Sequence, residues 1–418
     1  MINSVSPVRP GERHMILDSL RGLALSGICL ANYSEFSLYT FLPEQLTADM
    51  PTAGMDTVVK YLQYIFIDGK FYSVFSLLFG IGFSIILSNA ARKNRNGLKI
   101  FYRRMCILFL IGLFHLLFLW AGDILILYAF VGFFLPLFRN LSNRKLLLLS
   151  AALLLLPVLV DAGVVFFGWN PAAPAIHATR HFHRLAGITD ENFPVWLVES
   201  KSYPDILRFN LAGSFIRMQE FIDGNRAFKV LGLFLLGLYI GRNRIYADMD
   251  GNRLLLIKVR AYGLGIGFPL SLLYAWSAMN GYPCGIIMHT LIYALSVVPF
   301  SLGCMAAVCL WYLKNKERTV FRIFAAPGRM ALTNYLMQSV IGMIIFYGTG
   351  FGLGARTGLV YVELIAATVF SFQILYSYFW LSRNQFGPLE WGWRMLTYGK
   401  WLKLGKPENA GWMADKDS

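Results

Sequence analysis

Long apolar segments dominate this chain and limit what it can fold into. The segment Leu146–Phe167 exceeds the roughly 20 residues that an α-helix needs to cross a bilayer. Hydrophobic residues make up 56% of the 418 residues and charged residues only 15%, whereas soluble domains have roughly 45–50% and about 25%. A water-soluble core cannot bury that much apolar surface. The sequence therefore predicts an all-α, polytopic membrane protein.

Ten segments have the hydropathy of membrane spans. They cover about residues 15–36, 70–90, 102–120, 124–139, 146–168, 227–242, 261–279, 286–313, 330–349 and 358–382. Together they predict a single ten-helix membrane domain over residues 1–382, in which residues 169–226 form the one long external connection. Residues 383–418 combine Trp, Lys and Arg, which is typical of a tail lying in the cytoplasmic membrane interface.

Basic residues are distributed unequally between alternate connections. The set that contains the N-terminus has 27 Lys and Arg residues, and the opposite set has 8. Because positive charge is retained on the cytoplasmic side of membranes, we expect both termini in the cytoplasm. The formal net charge of +15 follows from this topology, so nucleic acid is not expected as a partner.

Cysteine and histidine spacings predict neither a metal site nor a disulfide framework. Four of the five cysteines lie in apolar segments, where they are typical of packing residues. His177, His181 and His183 have no paired ligand motif beside them, so a solvated loop is favoured there over a metal site. His115 and His289 lie in the outer thirds of spans, which leaves haem or quinone binding as a third functional hypothesis.

Ionisable groups inside spans are costly and therefore mark candidate functional positions. In the first span, Asp18 and Arg21 are three residues apart on one helix face. The pair either sets the depth of the helix in the membrane or contributes to a site. Asn32 lies on nearly the same face, about 16 Å farther along the axis. This helix thus presents a cationic group at one end and an amide at the other.

The third span contains the pair most typical of proton-transfer chemistry. His115 lies in its outer third, and Asp123 follows at the turn into the next span. A carboxylate can orient a histidine that acts as a general base. The alternative is a structural histidine bonded within the bundle, with Asp123 capping the fourth helix. Lys70, at the external rim of the second span, is free to turn outward or into the bundle.

Two further groups of polar residues are candidates for substrate binding. Asn334 and Gln338 are four residues apart in the ninth span, where amides either bind helices together or contact a substrate. Arg103, Arg104 and Arg329 lie at the cytoplasmic ends of spans. Guanidinium groups in such positions suit phosphate recognition.

Several motifs carry a resemblance to a known family. They are Leu17-Asp18-x-x-Arg21-Gly22 with Asn32; Lys70-Phe71-x-Ser73; Gly112-x-x-His115 with Gly122-Asp123; Gly328-Arg329 through Gln338-Ser339; and Gly387-Pro388-Leu389-Glu390-Trp391. These motifs resemble the YeiB-like family of bacterial inner-membrane proteins, a domain of unknown function. The resemblance implies a multi-pass protein of the bacterial cytoplasmic membrane.

The first span is also similar to that of two groups of acyltransferases, the heparan-alpha-glucosaminide N-acetyltransferases and the type 3 membrane acyltransferases. Members use ten or eleven helices to move an acyl group, commonly from cytosolic acyl-CoA, to an acceptor at the far face. The N-acetyltransferases place Asn after Arg at the spacing of Arg21 and Asn32. The catalytic His of the type 3 enzymes corresponds to Asn32, and that of the N-acetyltransferases to Pro43, so this chain has neither.

The similarity implies transmembrane acyl transfer with acyl-CoA as co-substrate. In this hypothesis the donor and acceptor are bound by Asp18, Arg21, Lys70, Arg103, Arg104, Arg329, Asn334 and Gln338. His115, supported by Asp123, acts as the base near Asn32 and Lys70, which hydrogen-bond the developing oxyanion. The use of His115 in place of the missing histidine is our inference from the residues.

The main alternative is a transporter or binding protein for a small anion or lipid, without bond chemistry. The same intramembrane charges would then line a path through the bundle. In both cases the expected partners are membrane lipid and a small molecule. The sequence does not specify an oligomeric state and is compatible with a homodimer.

Overall fold

The computed structural model describes residues 14–316 and 318–406, which form α-helices and no β-strand. The helices are α1 Met15–Phe36, α2 Glu44–Ala48, α3 Ala53–Leu62, α4 Lys70–Arg92, α5 Gly97–Phe114, α6 Leu125–Phe134, α7 Asn143–Phe167, α8 Ala173–Ala186, α9 Trp196–Glu199, α10 Tyr203–Asp223, α11 Arg226–Arg242, α12 Arg253–Met279, α13 Gly285–Lys314, α14 Thr319–Arg329, α15 Ala331–Phe346, α16 Leu359–Arg383 and α17 Pro388–Tyr398. The predicted all-α class is confirmed. The end of the predicted tail, residues 407–418, lies outside the described residues.

Seven helical segments in the described part of the chain are long and apolar enough to cross a membrane. They contain α1, α3 with α4, α5, α7, α12, α13 and α16. Two shorter apolar helices, Leu125–Phe138 and Ala331–Phe346, and the 17-residue α11 coincide with the other three predicted spans. The chain is a multi-pass membrane protein, and each of the ten hydropathy segments contains a helix.

The predicted external connection, residues 169–226, is largely helical and rests on the bundle. Its helix α8 contains the three histidines expected in a solvated loop, so that expectation is wrong. Phe182 of α8 stacks on Phe215 of α10 with ring centroids 5.0 Å apart. The Asn210 amide of α10 donates to the Leu117 carbonyl at 3.4 Å. This bond joins α10 to the π-helical turn that follows α5.

Helices α1 and α14 cross with their backbones in direct contact. A Cβ atom added to Gly22 would lie 1.8 Å from the carbonyl oxygen of Phe324. A Cβ atom added to Gly328 would lie 1.9 Å from that of Asp18. Only residues without a side chain permit this approach, which is typical of helix contacts in membranes. The crossing holds the end of α14 beside the first turns of α1.

The predicted interfacial tail folds back onto the bundle. The indole N–H of Trp393 in α17 donates to the Arg104 carbonyl of α5 at 3.3 Å. After α17 the chain returns along the end of α16, where the Gln385 N–H donates to the Leu404 carbonyl at 2.9 Å. Helix α17 thereby lies against the ends of the spans.

Candidate functional site

One large cavity, about 1220 Å³ in volume, runs along the inside of α1. Its lining includes Asp18 and Arg21 near the beginning of α1 and Asn32 and Glu35 near its end. The helical rise from Asp18 to Glu35 is about 26 Å. The volume exceeds the roughly 300–1,000 Å³ of ordinary small-molecule sites. The cavity therefore has room for a ligand with an extended chain.

Arginines line one end of the cavity, which we call the basic end. They are Arg21, Arg92, Arg104, Arg139, Arg242, Arg244, Arg329 and Arg394. The Arg21 guanidinium donates to the Asp18 carboxylate at 2.6 Å and to the Gly328 carbonyl at 3.4 Å. The Arg104 guanidinium lies 3.8 Å from the ring centroid of Trp393. Because guanidinium groups bind phosphate bidentately, the basic end suits a phosphate-bearing ligand.

Helix α17 forms part of the cavity wall at the basic end through Glu390, Trp393 and Arg394. The Glu390 carboxylate accepts hydrogen bonds from the backbone N–H groups of Leu332 at 2.7 Å and Thr333 at 3.0 Å. It also accepts one from the Thr333 hydroxyl at 2.6 Å. Burial raises the pKa of Glu390, and these hydrogen bonds oppose the shift. The carboxylate thus attaches α17 to the first turn of α15.

The other end of the cavity, which we call the polar end, is lined by Asn32, Glu35, Arg217 and Tyr335. Arg217 of α10 is buried and donates to the carboxylates of Glu35 at 2.9 Å and Glu220 at 2.6 Å. Burial raises the pKa of Glu220, and the Arg217 charge opposes the shift. The charged lining residues outside the basic end balance one another, with Lys60, Arg217 and Arg226 against Glu35, Glu44 and Asp68. This part of the cavity therefore suits a neutral or amine-bearing group better than an anion.

Sequence reasoning missed three residues of the polar end. Glu35 follows Asn32 by one helical turn, so the helix periodicity of the first span was a usable signal for it. Arg217 gave no such signal, because it belongs to the external connection and bonds Glu35 across 182 positions of the chain. Tyr335 directly follows Asn334 in the ninth span, but no spacing in the sequence connects it with α1 or α10.

His115 and Asp123 are in contact and form a triad with Ser339. The Nδ1 atom of His115 is 2.7 Å from the Asp123 carboxylate, and its Nε2 atom is 2.7 Å from the Ser339 hydroxyl. The other Asp123 oxygen accepts the N–H of Ile126 at 2.8 Å, in the first turn of α6. The three triad side chains are buried and lie behind the cavity wall rather than in it.

The expected grouping of His115, Asn32 and Lys70 is not the arrangement found. Lys70 is buried, and its ammonium donates to the Tyr64 carbonyl at 2.5 Å and lies 5.1 Å from the centroid of the Tyr274 ring. The turn before it at Gly69 has a left-handed φ of 76°, which hydropathy does not reveal. Asn32 lines the cavity, whereas Lys70 and His115 do not.

The predicted donor-binding residues divide between the cavity and the outside. Asp18, Arg21, Arg104 and Arg329 line the basic end. Arg103 lies next to Arg104 in the sequence, but it is exposed and outside the cavity. The two neighbours therefore offer a matched pair for mutagenesis.

Asn334 and Gln338 join α15 to α16. The Asn334 amide donates to the Ser377 hydroxyl at 2.9 Å, and the Gln338 amide donates to the Gln373 side-chain oxygen at 2.9 Å. Gln373 in turn donates to the Asn334 carbonyl at 2.9 Å. All four side chains are buried and outside the cavity lining. Their contacts match the helix-binding interpretation of these amides.

Metal and haem ligation find little support in the side-chain arrangement. Within residues 14–316 and 318–406, no group of three or more His, Cys, Asp or Glu side chains is placed to hold a metal ion. Both ring nitrogens of His115 already bond Asp123 and Ser339. His115 has no nitrogen left for iron, so a bis-histidine haem site with His289 does not fit.

Comparison with known proteins places the chain in a family. The family model described as "Protein of unknown function (DUF418)" matches residues 240–400, from the end of α11 through α17. "Uncharacterized protein YxaH" of Bacillus subtilis is 30% identical over 427 residues, covering 97% of this chain and 99% of YxaH. The chain belongs to the DUF418 family. The YeiB-like resemblance of its motifs is thereby confirmed.

Two other relatives are similar over nearly their whole length. "Uncharacterized protein YeiB" of Escherichia coli is 28% identical over 406 residues, covering 92% of this chain and 96% of YeiB. The "Uncharacterized 39.9 kDa protein in amylase 3'region" of Bacillus acidopullulyticus is 27% identical and covers 95% of this chain. No solved structure matches this DUF418 protein.

Proposed function

We propose that this protein transfers an acyl group from a phosphorylated, acyl-CoA-type donor at the basic end to an acceptor at the polar end. The observation that supports this proposal is the cavity, because it joins an arginine-lined end to an end lined by Asn32, Glu35 and Arg217. Phosphates of the donor would bind the arginines. The acyl chain would extend along apolar lining residues such as Leu25, Ile28, Phe71 and Phe75.

The chemistry of such a transfer needs positioning and charge stabilisation. An acceptor hydroxyl or amine attacks the thioester carbonyl, so a C–O or C–N bond forms and the C–S bond breaks. The thiolate leaves and takes up the proton that the acceptor loses. Donors aimed at the carbonyl oxygen stabilise its developing negative charge. Asn32 and Tyr335 both line the cavity, and their amide and hydroxyl groups would take this role.

The proposed direction of transfer follows from charge. With 27 basic residues in one set of connections and 8 in the other, the basic end would face the cytoplasm. Acyl-CoA is formed there, and a bacterial cytoplasmic membrane would present the acceptor on the opposite side. The arginines of the basic end would then serve both topology and donor recognition.

The first test measures donor binding with a matched pair of variants. We expect acetyl-CoA or palmitoyl-CoA to raise the melting temperature of the purified protein, because a ligand at about 100 times its Kd adds about 2.7 kcal/mol of stability. Arg104→Ala should remove most of this increase, since it deletes a cavity-lining cation. Arg103→Ala should keep it.

A ligand without phosphates serves as the control for the same measurement. Pantetheine contains the thiol arm of CoA without phosphates and should leave the melting temperature unchanged. Absence of an increase with acyl-CoAs of short, medium and long chains would contradict the proposal. Equal losses in Arg104→Ala and Arg103→Ala would show that binding does not use the cavity.

Binding or transport of an anionic lipid, without bond chemistry, is the second candidate function. It is favoured by the position of His115 behind the cavity wall with both ring nitrogens bonded. Thiol release separates the two candidates. Transfer liberates free CoA thiol from acyl-CoA in the presence of the protein, whereas transport leaves the thioester intact.

A further inference from the structure

Asp123, His115 and Ser339 have the connectivity of a nucleophile, a base and an orienting acid. The Ser339 hydroxyl is 2.7 Å from His115 Nε2, and the Asp123 carboxylate is 2.7 Å from His115 Nδ1. The backbone N–H of Ile126 holds the second Asp123 oxygen in place. This arrangement activates serine in unrelated folds and is recognised by geometry rather than by sequence position.

A buried tyrosine hydroxyl lies beside the triad. Tyr335 is one helical turn before Ser339 on α15, so the two side chains project from the same helix face. Its ring centroid is 5.0 Å from that of His115. Tyr335 is 6% exposed, and its buried hydroxyl lies beside the backbone of Ile124, with no side chain bonded to it among the described residues.

Tyr335 also connects the triad to the cavity, because it lines the cavity while packing on His115. The proposed reaction would therefore require the Tyr335 ring to rotate, which would break no side-chain hydrogen bond of its hydroxyl and would open a way from the cavity toward Ser339. The triad histidine further begins a π-helical turn, His115–Leu119. Such turns are rare and occur frequently at functional sites.

We infer that Ser339 is a catalytic nucleophile that carries the acyl group as an ester between donor and acceptor, an inference that rests on the proposed acyl transfer. The Ser339 oxygen attacks the thioester carbonyl, and His115 takes its proton. The C–O bond forms, the C–S bond breaks, and the thiolate leaves with the proton from His115. The acceptor then attacks the ester carbonyl, and His115 takes the proton that the acceptor loses and passes it to the Ser339 oxygen. The new C–O or C–N bond forms, the ester C–O bond to Ser339 breaks, and the free serine returns. The Tyr335 hydroxyl donates to the carbonyl oxygen in both steps.

The experiment looks for the acyl-enzyme, which forms without knowledge of the acceptor. Purified protein is incubated with acetyl-CoA or palmitoyl-CoA, and the label is mapped by peptide mass spectrometry. We expect one acyl group on Ser339, stable to neutral hydroxylamine, which removes thioesters from cysteine. One thiol should be released per protein in the same reaction.

A set of variants separates the loss of the nucleophile from a general effect on folding. Ser377→Ala removes another buried serine, which bonds Asn334 on the neighbouring helix, and should label normally. Ser339→Ala should not label, and Ser339→Cys should give a thioester that hydroxylamine removes. Tyr335→Phe should slow labelling by roughly 10²-fold, the loss expected for one oxyanion donor.

The outcomes distinguish this inference from the proposed function. If acyl-CoA stabilises the protein through Arg104 and releases its thiol, but leaves Ser339 unlabelled or labels Ser339→Ala equally, the nucleophile is overturned and acyl transfer stands. A fluorophosphonate probe, which reacts with activated serines, tests whether Ser339 is activated independently of acyl-CoA. Labelling of Ser339 by the probe without any stabilisation by acyl-CoA would support the nucleophile and overturn the proposed donor.

Discussion

At the scale of single residues, Glu390 makes the connection between α17 and the bundle. Its carboxylate accepts two backbone N–H groups and one hydroxyl of α15. Glu390→Ala leaves buried donors unpaired and should lower the free energy of unfolding by about 1–3 kcal/mol. Glu390→Gln keeps an acceptor oxygen and should cost less than Glu390→Ala. Denaturant unfolding in detergent measures both, and equal losses would contradict the capping role.

The same carboxylate gives a pH dependence of defined sign. Burial raises the pKa of Glu390 above its ordinary value, so the folded state binds a proton more tightly than the unfolded state. Its contribution to stability is present below the ordinary glutamate pKa and decreases as pH rises through the raised pKa. Glu390→Gln should remove this part of the pH dependence. Denaturant unfolding of the wild type and of Glu390→Gln, measured from below the ordinary glutamate pKa to above the raised pKa, checks this.

Local spacing explains which residue contacts the sequence could predict. His115 and Asp123 are eight positions apart across one turn, so their contact follows from the hydropathy pattern. Ser339 bonds His115 across 224 positions, and no pattern in the sequence joins two such distant segments. Lys70 shows the same limit, because its direction depends on the left-handed turn at Gly69.

At the scale of helices, the crossing of α1 and α14 positions the basic end. The Gly328 carbonyl accepts from Arg21 at 3.4 Å, directly at the crossing. Gly328→Ala would place a Cβ atom 1.9 Å from the Asp18 carbonyl, so the helices must separate, at a cost of about 1–3 kcal/mol in unfolding free energy. Gly328→Ala should also lower the affinity for acyl-CoA, because separating the two helices displaces Arg21 at the basic end.

A second helical glycine is the control for this substitution. Gly265 of α12 has no atom within 4 Å of an added Cβ. Gly265→Ala should therefore leave stability unchanged or raise it by up to about 1 kcal/mol through helix propensity. Similar destabilisation of both variants would mean that close packing at Gly328 is not the cause.

The helices were more predictable than their packing. Apolar length identifies seven of the spans, because a bilayer demands about 20 apolar residues whatever the helix touches. Amphipathic α14 and α17 are shorter, and their roles depend on which spans they meet. The polar end could not be predicted for the same reason, since α10 approaches α1 from a connection that hydropathy places outside.

At the scale of the whole molecule, the positive charge of the cavity lining is concentrated at one end. The eight arginines at the basic end come from spans and connections far apart in sequence. The polar end instead balances Arg217 with Glu35 and Glu220. A cavity with this gradient attracts anions from one side only. Its direction in the membrane therefore decides which compartment supplies the anionic ligand.

The orientation is testable with single cysteines in a chain whose five native cysteines are replaced. Lys400 follows α17 at the basic end, and Lys201 precedes α10 in the predicted external connection; both are exposed. Because basic connections are retained in the cytoplasm, an impermeant maleimide should label Lys201→Cys on intact cells and leave Lys400→Cys unlabelled until the membrane is opened. Inverted vesicles should reverse the pattern. Labelling of Lys400→Cys on intact cells would place the arginines outside, where cytosolic acyl-CoA cannot reach them, and would exclude it as the donor.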